Sequence, residues 1–426
     1  MQPMVEEYRR FDLMKSFMPW MVCIAASLFF FYEFIQGNMF ASIADNIMED
    51  FHIEAGRMTY LSSIYYLSNV IFLFIAGFLL DKFSPKRIIL FAMLLCVLST
   101  FLLAHAQSFY LALLCRFITG IGSAFCFLGP IRIASRWFPP QRMALVAGVI
   151  VTIAMTGGMI AQYPLTRLVN LVGWRHALIV VGWLGMAILF AMIYFIKDNP
   201  SQNKNTEIKH LGLLDTAKKA FLNLQIVRAA LFTSLVNMSV AVFGAMMGSL
   251  YLVQRLDVSK EEGAIVNSML FLGAIFGGPV IGWFSDKLGR RVMPMKVGAL
   301  ASLLTILAIL YLPLSLNAMT TLFFFLGFFT ASQVISYALV AESSSPIMTA
   351  TAVSVVSILT QGGYIVYQNL FSALLMWHGE MKMIHGVPVY SLNDYQTAAI
   401  IIPLGLVIAL FAIFKLKETY CLPTQD

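Results

Sequence analysis

The feature that most constrains this chain is an apolar run of about twenty residues that recurs from one end to the other. A run of that length crosses ~30 Å of hydrocarbon as a helix. The chain is 60% hydrophobic and 12% charged, whereas a soluble domain carries roughly a quarter charged residues. Water cannot solvate that much apolar surface, so lipid must. Inside lipid every backbone polar group has to be satisfied within the protein, which leaves helices or a closed barrel. The runs are continuous rather than alternating, which selects helices.

Twelve helices are expected, at 18–44, 58–80, 87–106, 108–135, 143–170 and 176–196, then at 226–253, 262–284, 293–314, 318–341, 348–377 and 397–416. The organisation read from them is a six-helix bundle over 1–196, a cytoplasmic linker over 197–225, a second bundle over 226–416 and a tail over 417–426. With both termini on one side, 21 of the 28 Lys and Arg fall on that side and 6 on the other. That bias predicts cytoplasmic termini and accounts for the net charge of +7 without nucleic acid. Residues 1–15 precede an apolar stretch with no small-residue cleavage site, so the first helix is expected to be retained. Four of the five cysteines, Cys23, Cys96, Cys115 and Cys126, lie in apolar runs without metal-ligand spacing and read as packing residues.

The two halves repeat. Gly77-Phe-Leu-Leu-Asp81-Lys82 ends the second helix, and Gly282-Trp-Phe-Ser-Asp286-Lys287-Leu-Gly289-Arg290-Arg291 ends the eighth. Parallel six-helix repeats about an axis normal to the membrane are a transporter architecture, with the substrate site between the halves near the midplane. These segments resemble the loop signature of the major facilitator superfamily, Gly-x-x-x-Asp-Arg/Lys-x-Gly-Arg-Arg/Lys. The 282–291 copy is complete, whereas the first has Ser84-Pro85 where Gly-Arg is expected. Arg116-Phe-Ile-Thr-Gly120-Ile-Gly122 is similar to the superfamily's fourth-helix pattern, and Trp137-Phe138-Pro139 and Gly173-Trp174-Arg175 sit where such carriers have them. The resemblance covers the whole chain. The stretch Phe29-Phe-Phe-Tyr32-Glu33-Phe-Ile-Gln36 also looks like the phagosomal nutrient transporters of intracellular bacteria, a group associated with uptake of amino acids or nucleosides. The helix-5 signature of drug antiporters, Gly-Pro-x-x-Gly-Gly, is missing.

Charge within the helices nominates the mechanism. Of the acidic residues only Glu33 lies well inside a helix, and of the basic ones only Arg116. An intramembrane charge is costly unless paired or hydrated, so each is a functional candidate. Their depths, about 16 Å and about 12 Å from the outer helix ends at 1.5 Å per residue, agree. The expectation is that Glu33 takes the proton and Arg116 is its switching partner and a substrate ligand. The bland alternative is a static pair that fixes packing. Further substrate candidates are Gln36, Tyr66, Gln162 and Asn237, and on one face of the eleventh helix Gln361, Tyr364 and Gln368. Polar groups of this kind also hold membrane helices together. Asp81 with Arg87, and Asp286 with Arg290, are candidates for a cytoplasmic gate, a role the resemblance implies.

No nucleotide-binding, metal or nucleophile motif accompanies these residues, so an enzyme and an ATP-driven pump are disfavoured. The expected activity is alternating-access transport of a small polar metabolite across a bacterial inner membrane. Amino acid or nucleoside uptake by proton symport is favoured, by a monomer among membrane lipids with no cofactor beyond the proton gradient. Siderophore or metabolite carriage in either direction, and uncoupled facilitation, stay open.

Overall fold

The computed structural model describes residues 2–138, 142–197, 218, 220–344, 349–378, 382–384 and 387–422, with side chains described except at 2–16, 74, 78, 81, 144, 349–350, 378, 382–384 and 387–389. Twelve helical spans follow one another. In the first half they are α1 (Gln2–Asn38, resuming as Phe40–Phe51), α2 (Ala55–Lys82), α3 (Pro85–Ala104), α4 (Phe109–Ala134), α5 (Met143–Ile160, resuming as Tyr163–Val172) and α6 (Trp174–Phe195). In the second they are α7 (Leu224–Leu256), α8 (Lys260–Leu288), α9 (Val292–Tyr311), α10 (Leu316–Glu342), α11 (Thr349–His378) and α12 (Leu392–Phe414). Ten of these are long and apolar enough to cross a membrane. The other two, α2 with 28 residues and α11 with 30, match them in length and pack among them. Most of the expected linker lies outside the described residues. Between α11 and α12 the chain adds a small antiparallel hairpin, β1 (Lys382–Ile384) with β2 (Val387–Val389).

The packing repeats with a period of six helices. In the first half α1 packs on α5 and α6, α2 on α4, and α3 on α4 and α6; in the second α7 packs on α11 and α12, α8 on α10, and α9 on α10 and α12. The halves meet through α2 with α11, α5 with α8, and α1 with α7, the pairings a two-fold axis requires. The interruptions repeat too. α1 breaks at Met39 and α7 over Val240–Met247, a π-helical stretch; α4 breaks over 124–127 and α10 over Ala331–Val334, a 3₁₀ turn. Irregular backbone survives at membrane depth only where protein surrounds it or it lines a cavity.

The two loop signatures differ for a local reason. Gly289 ends α8 with φ +63°, a left-handed conformation that costs glycine least. After α2 the chain instead leaves through extended Phe83 and Ser84, and Pro85 opens α3 at its first turn, where a missing N–H is harmless. The Gly173-Trp174-Arg175 motif is structural. Arg175 Nη1 donates to Ala104 O at 3.3 Å and Ala106 O at 2.5 Å, and its Nε lies 3.3 Å from Asp50 Oδ2. Trp174 Nε1 donates to the same Asp50 oxygen at 2.7 Å, and the guanidinium lies 4.3 Å from the indole centroid. This knot ties the end of α1 to the α3–α4 turn and the start of α6.

Arg175→Ala should therefore destabilise the first half by about 2 kcal/mol, the cost of leaving half-buried acceptors unpaired. Arg175→Lys should recover part of that. Thermal unfolding in detergent measures it, and a melting point equal to that of the unaltered chain would refute the assignment.

Candidate functional site

The buried charges lie inside the first half. Arg116 is completely buried on α4. Gly120, one turn further on, faces α2 so closely that an added Cβ would stand 2.3 Å from the Tyr65 carbonyl oxygen. That close approach brings Arg116 onto Tyr65. The guanidinium carbon lies 4.6 Å from the Tyr65 ring centroid and 5.0 Å from that of Phe40, and Nε donates to Leu61 O at 3.2 Å. Both Nη nitrogens are buried and have no hydrogen-bond partner in the protein. An arginine carries five N–H donors, so the site holds donor capacity that the protein itself does not use.

Glu33, 1% exposed on α1, faces the same tyrosine. Tyr65 Oη donates to Glu33 Oε2 at 3.1 Å and sits 3.4 Å from the Glu33 carbonyl oxygen, while Glu33 Oε1 has no partner. Among the described residues Glu33 and Arg116 form no ion pair within the 4.0 Å of a salt bridge. They share Tyr65, one on its hydroxyl and one on its face. Tyr65 is not among the candidates nominated from the sequence. No motif marks it; the signal available was its position beside Tyr66 on the helix facing both charges.

The other candidates divide between several places. Tyr66 and Tyr364 meet across the halves with ring centroids 4.7 Å apart, and Tyr66 Oη donates to Gly37 O at 2.9 Å. Gln36 turns into the first half instead, where its amide donates to Thr100 Oγ1 on α3 at 3.0 Å. Asn237 forms a reciprocal amide pair with Gln333 of α10. Gln361 is half-buried on α11. Gln368 is fully buried and donates to Ala241 O at 3.0 Å.

Gln162 joins the halves. Its Nε2 donates to Gly244 O on α7 at 2.8 Å, and its Oε1 accepts from Asn267 Nδ2 on α8 at 2.6 Å. Asn267 also donates to Phe243 O at 3.0 Å. The π-helical stretch of α7 thus presents the carbonyls of Ala241, Phe243 and Gly244 to amides from α11, α8 and α5. Nearby, Lys260 Nζ binds Asp45 at 2.6 and 2.8 Å and Asn46 at 3.1 Å, and Thr59 bonds Ser372. All these residues lie toward the face opposite the chain termini. These bonds hold the two halves together at the distal face.

On the terminal side, Asp286 pairs with Arg291 at 2.5 Å rather than with Arg290, which is exposed. Arg291 also holds Glu342 at 2.7 Å, and Glu418 accepts from the backbone N–H groups of Arg291 and Val292 at the start of α9. Burial works against the Arg291 charge, but the Glu342 and Asp286 carboxylates outweigh it and hold its pKa above the ordinary value. Arg87 is exposed at the start of α3. The Asp81 side chain lies outside the described residues.

Two pseudo-symmetric six-helix halves with helix breaks at matching positions are the architecture of a membrane transporter. Residues 22–367 and 229–420 match the Major Facilitator Superfamily, and the chain belongs to it. The probable sulfoacetate transporter SauU of Cupriavidus necator is 24% identical over 324 residues, covering 70% of this chain and 75% of its own. The probable galactarate/D-glucarate transporter GudP of Escherichia coli is 25% identical over 324 residues, covering 66% and 71%. The same fold appears in a bacterial homologue of the human lysosomal transporter Spinster, solved inward-facing and unoccupied (TM-score 0.73, 19% identity, 93% of this chain and 96% of that one). It appears again in the nucleoside transporter NupG (TM-score 0.70, 16% identity, 93% and 100%).

Gln162→Leu removes two hydrogen bonds between the halves, each worth about 1 kcal/mol net. The distal-open population should rise by about thirtyfold, since 1.4 kcal/mol is a factor of ten. Spin labels at exposed Leu171 and Leu312, on the distal ends of α5 and α9, report it as a longer distance by pulsed electron resonance. An unchanged distance distribution would remove Gln162 from the gate.

Proposed function

We propose that this protein carries a small carboxylate-bearing metabolite across a bacterial inner membrane, with both termini in the cytoplasm, by proton-coupled uptake. The observation behind this reading is Arg116, buried with both Nη nitrogens unpartnered by the protein. A guanidinium binds a carboxylate through two parallel N–H···O bonds, a fit that a neutral nucleoside does not use. The names of two relatives point the same way, since sulfoacetate and the sugar diacids are organic anions. NupG shares only the fold, so its nucleoside carries no weight here. An amino acid satisfies the same chemistry and agrees with the resemblance of the Phe29–Gln36 stretch to nutrient transporters.

In this reading Arg116 receives the substrate carboxylate, the Tyr66–Tyr364 contact forms the wall between the halves, and Glu33 carries the coupled proton. Gln162 with Asn267, and Asp45 with Lys260, close the distal gate. Asp286, Arg290 and Arg291, with Asp81 and Arg87 in the first half, act at the cytoplasmic gate. The excess of Lys and Arg on the terminal side supports the orientation.

Thermal unfolding against L-glutamate, other amino acids, D-glucarate, sulfoacetate, nucleosides and siderophores tests the substrate class. A ligand at ~100 times its Kd adds about 2.7 kcal/mol of stability. An acid should raise the transition of the unaltered chain, and Arg116→Ala should lose that response. In proteoliposomes Glu33→Gln should retain exchange but lose accumulation driven by a pH gradient. Stabilisation by nucleosides alone, or an Arg116→Ala response equal to the unaltered chain, rejects the carboxylate reading.

A further inference from the structure

We infer that Tyr65 is the positioning residue that carries the protonation state of Glu33 to Arg116, so that the two charges are coupled through one phenol rather than by a direct ion pair. The inference deepens the coupling reading above and rests on it. The geometry is a three-part chain: Glu33 Oε2, the Tyr65 hydroxyl at 3.1 Å, and the Arg116 guanidinium 4.6 Å from the Tyr65 ring centroid. The Phe40 ring centroid lies 5.0 Å from the same guanidinium carbon. Neither acidic oxygen reaches Arg116 within salt-bridge distance among the described residues, so interaction between them runs through or past this ring.

The chain has two states because of what each oxygen can accept. An ionised carboxylate only accepts, so the phenol must donate to it. Donation to an anion leaves the aromatic ring richer in electron density, and a cation is held over a ring by that density. Arg116 is then held against Tyr65. When Glu33 takes a proton from water, the acid O–H becomes a donor and the phenol oxygen can accept it. The phenol O–H then turns to the Glu33 carbonyl oxygen, 3.4 Å away in the present arrangement. The ring loses density and its hold on the guanidinium weakens. One O–H bond forms on Glu33 as one breaks on the water species that delivers the proton, and the phenol O–H reorients without breaking. Arg116 becomes available to an anion when Glu33 is protonated, and by reciprocity an anion on Arg116 favours the protonated acid. Proton and substrate anion therefore load together.

Other titratable groups surround Glu33. Tyr32 on α1 donates to Thr100 Oγ1 at 2.9 Å and is committed to α3. The Cys96 thiol on α3 lies beside both Glu33 and Arg116, and the Cys126 thiol on α4 lies beside Glu33, but only the Tyr65 ring stacks on the guanidinium while its own hydroxyl bonds the carboxylate. α6, which also packs on α1, carries its titratable residues at its ends, and α5 carries Tyr163 and Arg167 in its distal segment, bonded to each other.

The test reads the availability of Arg116 without needing the substrate. Phenylglyoxal, a guanidinium reagent, is applied to the purified full-length protein between pH 6 and 9. Labelling of Arg116 is read by peptide mass spectrometry as a ratio to Arg57, which is exposed. In the unaltered chain the ratio should be about fivefold or more higher at the acid end, the lower bound of a typical coupling. Glu33→Gln, which mimics the protonated acid, should hold the ratio high and flat. Tyr65→Phe should flatten it while Glu33 is still present. Should Tyr65→Phe fail to fold, 3,5-difluorotyrosine at position 65 keeps the shape, draws density from the ring and should move the midpoint. If Tyr65→Phe or the fluorinated chain follows the unaltered profile while Glu33→Gln is flat, Tyr65 is not the link and the coupling role of Glu33 survives. If Glu33→Gln keeps the profile, the coupling reading itself falls. A flat ratio in the unaltered chain overturns the inference.

Discussion

A guanidinium held at membrane depth is the constraint around which the first half is built. The cost of that charge is several kcal/mol unless it is solvated by the protein. Here the solvation is partial by design. One carbonyl, Leu61 O, takes Nε, and two rings take the faces. A desolvated cation–π contact is worth about 2 kcal/mol, so the rings offset much of the cost while leaving the N–H edge of the fork unspent. A full carboxylate partner would stabilise Arg116 more and make it useless as a receptor. Gly120 is part of the same arrangement, because any side chain there would push α4 off α2 and the ring off the guanidinium.

The distal closure follows a different rule. Alternating access needs both faces to open, so the bonds holding either face must sum to a few kcal/mol. The distal contacts meet that limit. Gln162 contributes neutral amide bonds near 1 kcal/mol each, and the Asp45–Lys260 pair is partly exposed, where such pairs are worth about 0–1 kcal/mol. The π-helical stretch of α7 makes the amide bonds possible by turning carbonyls out of the regular i to i−4 ladder, a device that recurs at functional sites. When the gate opens, Gly244 O and Asn267 must find other partners, which a widening, hydrated mouth supplies.

How much of this was legible in the sequence differs by level. Twelve spans and their two-fold repeat could be read because lipid forces every span to declare itself as a long apolar run. The intramembrane charges could be read because charge is rare there. Their relationship could not. Glu33 and Arg116 lie on helices 1 and 4, and the ring between them comes from helix 2, where Tyr65 and Tyr66 are adjacent in sequence but have different partners. Gln162 looked like a pocket residue because a buried amide carries no label for which helix it faces. Its partners are backbone carbonyls freed by a π-helical stretch, which no apolar pattern announces. Gln36 carried no label for its neighbour either: its Nε2 donates to Thr100 on α3, while its Oε1 is buried without a partner in the protein.

The two halves share a fold but not a chemistry. The first holds Glu33 and Arg116 in its interior. The corresponding interior of the second is neutral, with Asn237 and Gln333 paired to each other and Asn267 and Gln368 bonded to backbone. Charge moves its surroundings strongly when a proton is gained or lost; neutral amides do not titrate. On the proposed reading, this asymmetry puts sensing in the first half and a steady wall in the second. It also explains why the helix breaks differ in kind. α4 needs only a turn beyond the Arg116 segment, over 124–127, to leave that segment free to adjust. α7 needs exposed carbonyls that the other half can grip and release. On the proposed reading, a local change on one tyrosine face becomes a choice between two packings of the same twelve helices.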